Sequence, residues 1–432
     1  MGQAPRGRVF YGWWIVAVSM VVTMLHVGAT FYAFGRFIPT LVEEFNSGLT
    51  AVSAAGSVYM LIVGITGPIA GKLTDRYGPK KLIIVGAAIA GAGLMLLSVS
   101  RALWHLYVFF FVVGIGMSGA GFVPVSVAIS NWFTKRRGVA MGIAMAGVSV
   151  GAILIAPLAH YLIIGFGWRM AFVVLGLMTA VLIIVPSIFL MRNRPEEMGL
   201  LPDGVAHVGP EPVSQAATVA DPPAPNTDGS PGVEGYTLAR AFRTPAFWLV
   251  LATFLFAGIV VVGVLQHEVN ILKNMGVPLA AASFALGFTG GIGGVGKVVF
   301  GALGDRLTPR YASIICIALQ LVGLVLLMLT HTTVMVWVFV VVYGFAMGGW
   351  LTMEPLVTAE LFGMKSFAAI YGWVLAAAAV GSGLGPILMG AVYDLSGSYT
   401  VGLVICLGAY VMAIAALSLA RKPKPAVAVA TL

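Results

Sequence analysis

Charge is what this chain has least of. Only 9% of its 432 residues are Asp, Glu, Lys or Arg, while 60% are hydrophobic; an ordinary soluble domain carries about 25% charged residues. So little polar surface cannot cover a fold in water, and lipid must take the place of solvent. Cysteine is nearly absent. Cys316 and Cys406 both fall inside apolar runs, with neither metal-ligand spacing nor a disulfide framework, and read as packing residues. No metal-ligand cluster, Ser–His–Asp arrangement or phosphate loop is visible, so neither an enzyme nor a cofactor is expected. The net charge of +9 would suit nucleic acid if the basic residues formed a patch. They lie instead in short clusters between apolar runs, the pattern that orients membrane proteins. The first run, starting near Tyr11, is too long for a signal-peptide core and no small-residue cleavage site follows it.

What the chain does have is apolar length. About 20 apolar residues cross the hydrocarbon of a bilayer. Runs of that kind lie near 11–35, 51–71, 82–100, 105–130, 139–164 and 169–191, and again near 246–270, 281–303, 312–330, 334–357, 367–391 and 400–420. The expected fold is therefore all-α and membrane-spanning, with twelve helices in two six-helix bundles, 1–191 and 246–420. Between them, 192–245 is rich in Pro, Ala and Asp and reads as a flexible linker; 421–432 forms a tail. Nineteen of the 24 Lys and Arg residues fall on the side that holds both termini and four on the other, leaving Lys297 within a span. That imbalance predicts a multi-pass protein of the plasma (inner) membrane with both termini cytoplasmic.

An internal repeat relates the halves. After the second span comes Gly71-Lys72-Leu73-Thr74-Asp75-Arg76, and after the eighth Gly301-Ala302-Leu303-Gly304-Asp305-Arg306. In each copy the glycine lets helices approach, the Asp can cap a helix and accept hydrogen bonds, and the Arg can bond helix ends across the half interface. Such contacts suit a gate. One copy alone would pass for a charged turn; two at matching places make that reading poor. Here the chain resembles the major facilitator superfamily, whose signature between helices 2 and 3 has this form. Thr308 stands where the family prefers Gly, so the second turn is expected to be less regular.

The junction into the fifth span, Asn131-Trp132-Phe133-Thr134-Lys135-Arg136-Arg137 with Ala140, Gly142, Ala144, Ala146 and Gly147 following, resembles the monocarboxylate transporter signature. The opening around Tyr11–Ser19, Ala359–Gly363 and the stretch after Tyr393 are similar to bacterial relatives of that family and of the oxalate–formate exchanger. Read from the residues alone, the junction is a basic turn followed by small residues at four-residue spacing, a helix-packing face.

Ionisable groups at membrane depth are costly and mark function by default. Lys297 lies eight residues before Asp305, roughly 12 Å along a helix, in a span containing Gly287, Gly290, Gly291, Gly293, Gly294 and Gly296. Those glycines would leave room for an anion beside the ammonium; the alternative, snorkelling to the interface, is hard from that depth. The resemblance implies that Lys297 replaces an Arg which pairs with the substrate carboxylate, with looser orientation because Lys lacks the bidentate fork. It also implies an Asp at the position of Gly293, so the animal family's proton acceptor does not carry over. Glu354, beside Pro355, and Glu268, beside His267, can serve instead, since a carboxylate in apolar surroundings can alternate between charged and neutral forms. For Glu268 the plain alternative is a wet helix end. Arg36 resembles a Lys on the substrate path of the animal family, or is an interfacial anchor; Tyr32, Phe122 and His267 are candidate cavity walls, and His26 reads as a packing histidine. In the eleventh span Ala378 stands where the oxalate–formate exchanger has a second cation, and one cation suits a monoanion better than a dianion.

These readings converge on a secondary transporter of a small monocarboxylate, coupled to H+ and working by alternating access as a monomer. An efflux antiporter for hydrophobic compounds would need an acid-dominated, aromatic-rich cavity. A membrane sensor would need a signalling domain.

Overall fold

The computed structural model describes residues 10–204, 235–330 and 332–423. Most of the linker expected at 192–245, and most of the tail expected at 421–432, lie outside the described residues. Eleven described helical segments are long and apolar enough to cross a bilayer. One of them, Arg137–Leu190, has 54 residues and is interrupted at Gly167 (φ 79°, ψ 160°), which divides it into two spans and brings the number to twelve.

In chain order these are α1 (Gly12–Glu44), α2 (Leu49–Tyr77), α3 (Pro79–Leu97), α4 (Leu103–Trp132), α5 (137–166) and α6 (168–190), α7 (Pro245–Asn274), α8 (Leu279–Arg306), α9 (Pro309–Met328), α10 (Thr333–Phe362), α11 (Phe367–Ser396) and α12 (Tyr399–Leu419). Local chemistry explains where they start and stop. Gly78 takes a left-handed φ of 82° that closes α2, and Pro79 opens α3. Gly397 does the same at the end of α11 with φ 68°. Thr244, Thr308 and Thr332 cap α7, α9 and α10 by accepting a hydrogen bond from the backbone N–H three residues on, and proline follows the first two. The Thr308 turn is thus regular in its own way. It uses a side-chain cap on extended backbone (φ −114°), so no glycine is needed there.

The halves have matching internal packing. In the first, α1 lies on α5, α2 on α4, and α3 on α4 and α6; in the second, α7 lies on α11, α8 on α10, and α9 on α10 and α12. The halves touch through α5 against α8 and α2 against α11, two pairs that exchange under the internal repeat. Small residues make these seams close. A Cβ on Gly71 would strike the backbone of Ala368 and Ala369 on α11, and one on Gly301 would strike Gly138 on α5. Without a hydrophobic driving force between helices in lipid, such backbone proximity is what holds them together.

Glycine spacing in α5 serves two neighbours. Gly138 and Gly142 face α8 at Gly301 and Lys297, whereas Gly147 and Gly151 face α1 at Met20 and Met24. An alanine methyl at Gly142 has no space, while nothing stands within 4 Å of one at Gly287. Overpacking typically costs about 1–3 kcal/mol. Gly142→Ala is therefore expected to lower the thermal unfolding midpoint of the detergent-solubilised protein by several degrees, with Gly287→Ala leaving it unchanged.

Candidate functional site

The basic residues crowd one end of the molecule, and there each half caps a helix of the other. Asp305, closing α8, accepts hydrogen bonds from the backbone N–H of Gly138 (2.6 Å) and Val139 (2.8 Å) in the first turn of α5. Asp75, closing α2, accepts them from Ala369 (3.0 Å) and Ala368 (3.3 Å) in the first turn of α11. A carboxylate at a helix N-terminus satisfies orphan donors and meets the positive end of the dipole. The aspartates, and not the arginines, thus make the cross-half contacts: the Arg76 guanidinium lies over Tyr77 at 5.2 Å, and Arg306 is exposed. Asp203, from the short turn at Pro202–Gly204, ties that turn to the α4–α5 junction by accepting from the backbone of Lys135 (2.7 Å) and Thr134 (3.0 Å).

Deeper in the seam sits Lys297, 5% exposed. Its ammonium donates to Ser149 Oγ on α5 (3.2 Å) and to the Gly293 carbonyl one turn back (3.4 Å). Ser149 in turn donates to the Gly290 carbonyl at 3.0 Å. Among the described residues the one ion pair joins half-exposed Arg169 and Glu44 (2.9 Å), far from this seam in sequence and held within the first half. Lys297 therefore has neutral neighbours only. An ammonium out of water without a counter-ion is electrostatically incomplete.

The glycines around it divide into three groups, of which Gly294 alone faces Ser149 on α5. Gly293 and Gly296 receive the backbone of α10 at Gly344, Gly348 and Phe345, so they serve packing and do not leave room for a ligand. Gly287, Gly290 and Gly291 have nothing within 4 Å of a Cβ position. Beside them a cavity of about 770 Å³ is lined by Ile153, Phe284, Phe288, Gly291 and Val295. It is apolar and does not reach Lys297, so its size does not make it the ionic site.

Two carboxylates are sealed in the second half. Glu268 on α7 is fully buried, which excludes the wet helix end as its setting; Oε1 accepts from Thr289 Oγ1 (2.8 Å) and Oε2 has no partner. Glu354 on α10 is also fully buried, and neither oxygen makes a well-formed hydrogen bond. His267 is committed elsewhere, with one ring nitrogen 3.1 Å from Tyr399 Oη and the other 3.2 Å from the Pro386 carbonyl.

The remaining candidates stand on the first half. Arg36 is exposed on α1, four residues past Tyr32, which ends a π-helical stretch, Gly28–Tyr32. Phe122 opens the second segment of α4 after a break at Gly121 (φ −92°, ψ −143°). Phe122 packs on His26 (4.7 Å between ring centres), and His26 Nε2 lies 3.3 Å from Tyr59 Oη. Both helix irregularities thus meet around one buried histidine. Irregular backbone at membrane depth is tolerated where it lines a site or is buried in protein. The hydrogen bonds of Lys297 involve none of Arg36, Tyr32, Phe122 or His267. Sequence reading missed Ser149, Thr289 and Tyr59, all of which are single hydroxyls without a motif.

A fold of two matched six-helix halves has known counterparts. The sequence profile of the Major Facilitator Superfamily matches residues 17–363 and 268–431. The chain belongs to that superfamily. It is 23% identical over 373 residues to the uncharacterized MFS-type transporter YhjX of Escherichia coli K12, covering 85% of each chain. To monocarboxylate transporter 13 of Rattus norvegicus it is 27% identical over 405 residues, covering 93% of this chain and 87% of that one. To human monocarboxylate transporter 12 it is 24% identical over 415 residues, covering 92% and 78%. In fold it is similar to the crystal structures of the human organic anion transporter MFSD10 (TM-score 0.69, 14% identity, 96% and 100% covered) and of the E. coli fucose:proton symporter FucP (0.65, 14%, 95% and 100%). The protein is thus a multi-pass membrane transporter of this superfamily.

The caps yield a local test. Losing an N-cap acceptor costs about 0.5–2 kcal/mol, so Asp305→Ala is expected to speed amide exchange at Gly138 and Val139 roughly two- to thirtyfold while Ala368 and Ala369 keep their rates. Asp75→Ala should give the converse. Hydrogen exchange read by mass spectrometry checks both.

Proposed function

We propose that the protein carries a small monocarboxylate across the plasma (inner) membrane together with a proton, by rocking of its two halves about Lys297. The observation that carries this reading is the ammonium itself, buried in the α5–α8 seam and offered neutral partners alone. A carboxylate arriving there would supply the missing charge. Its contact would add a Coulomb attraction between opposite full charges, which the Ser149 hydroxyl and the Gly293 carbonyl cannot supply. Ala378 on α11 is buried against α7 and contributes no second cation, so one negative charge is the natural complement. Arg36, Tyr32 and Phe122 are proposed as the facing wall on the first half, with His267 supporting the α7–α11–α12 corner. The names of the monocarboxylate transporters among its relatives agree with this cargo class.

Glu268 and Glu354 are the proposed proton carriers. Each is out of water, and neither has a cation beside it, so a change of protonation there would change the energy of the whole conformation. The clasped end, rich in Lys and Arg, is proposed to face the cytoplasm. Alternating access would part the clasp at Asp75 and Asp305 and close the opposite end.

Uptake of radiolabelled monocarboxylates into proteoliposomes, with and without an inward proton gradient, is the direct test. The gradient is expected to accelerate uptake. A hydrogen bond to a charged group is worth about 1.5–3 kcal/mol, so Lys297→Ala should reduce uptake roughly ten- to hundredfold and Lys297→Arg should retain much of it. Transport by Lys297→Ala at the parent rate would refute the site.

A further inference from the structure

Glu354 stands in a polar cluster that straddles the two halves just beneath the clasp. It lies eight residues before the end of α10, Tyr371 lies four residues after the start of α11, and Ser126 lies six residues before the end of α4. At about 1.5 Å per residue all three are within roughly 12 Å of the basic end. Glu354 and Tyr371 belong to the second half and Ser126 to the first. The Tyr371 hydroxyl faces both the Glu354 carboxyl and the Ser126 hydroxyl. All three side chains are fully buried, yet none of their oxygens closes a well-formed hydrogen bond within the protein. Tyr371 sits one turn below the helix start that Asp75 caps, so parting of α11 from α2 and α4 would open the cluster directly.

Among the described residues no cation forms an ion pair with Glu354; on α5 the Arg137 guanidinium is held by the Phe133 and Ser130 carbonyls, and on α7 Glu268 accepts from Thr289. From α11 the facing titratable group is Tyr371, and from α4 the facing group is Ser126. On α8 the Lys297 ammonium is held by Ser149 and Gly293. On α9 the Cys316 thiol bonds to the Ala346 carbonyl. A carboxylate sealed among neutral groups is costly, and a proton on Glu354 would remove that cost in this closed arrangement. The converse also holds: an ionised Glu354 would demand water or a cation, and separation of the halves at the basic end is what would admit either.

We infer that Glu354, Tyr371 and Ser126 form a proton-dependent latch, in which protonation of Glu354 is the condition for the basic end to close. Tyr371 is the positioning residue that links the carboxyl to Ser126 across the interface. This deepens the reading of Glu354 as a proton carrier, but it concerns the gate and holds whatever the cargo is.

The test therefore uses no substrate. Spin labels are placed at Lys81→Cys on the first half and Leu307→Cys on the second, both exposed at the basic end; the native Cys316 and Cys406 are buried. Inter-label distances are measured by pulsed electron resonance in proteoliposomes at pH 5 and pH 8. The parent is expected to give one short distance at pH 5 and a substantial longer component at pH 8. Glu354→Gln, neutral at both values, should give the short distance at both. Tyr371→Phe should move the pH at which the longer component appears. A longer component that still grows with pH in Glu354→Gln, or a parent whose distances ignore pH, would overturn the latch. Failure of the cargo reading would appear separately, as undiminished uptake by Lys297→Ala.

Discussion

Each half of this molecule finishes a helix that belongs to the other. Asp305 completes the first turn of α5 and Asp75 that of α11, and everything nearer the membrane centre depends on those two caps. They bring the glycine faces of the seams into backbone contact, and that contact fixes the position of Lys297 and shuts the polar cluster around Glu354. A helix end has four unmet donors and a positive pole. A carboxylate supplied from the opposite half satisfies both needs while the halves are together and releases both when they part. Under the proposed rocking of the halves, a contact so local could be broken by a rigid-body movement.

The membrane interior makes the remaining polar groups interdependent. Lys297 is solvated by a hydroxyl and a carbonyl, Glu268 by one threonine hydroxyl, and Glu354 by no well-formed hydrogen bond at all. In water these differences would be small. In a medium of low dielectric they set how readily each group accepts an ionic partner or gives up a proton. Cation and acids are also kept apart: the described residues contain no ion pair between Lys297 and either glutamate. A permanent pair would satisfy the lysine without a ligand, whereas separated charges leave it open to one.

Much of the fold was legible in the chain. Twelve apolar runs match twelve spans because lipid forces every backbone polar group into a helix, so apolar length translates directly into structure. The repeated Gly-x-Leu-x-Asp-Arg likewise located both clasps. The chemistry of the clasps was less legible, since the sequence suggested that arginine joins the halves and the geometry gives that task to aspartate. Two of the glycines of α8 misled in a similar way. They read as space for a ligand, but Gly293 and Gly296 are filled by the backbone of α10, because a missing side chain can admit a neighbouring helix as readily as a small molecule.

The sequence by itself determined the number of spans, the division into halves, the place of the clasps and the presence of a lone deep cation, since each follows from hydrophobicity, charge or repetition along the chain. Only the tertiary structure decided which groups meet. Ser149 beside Lys297, Thr289 beside Glu268, and Ser126 near Tyr371 and Glu354 are separated by up to hundreds of residues and carry no pattern. A single hydroxyl acquires meaning only when another helix brings a charge to it, and that placement depends on side-chain packing across the bundle and not on periodicity within any one span.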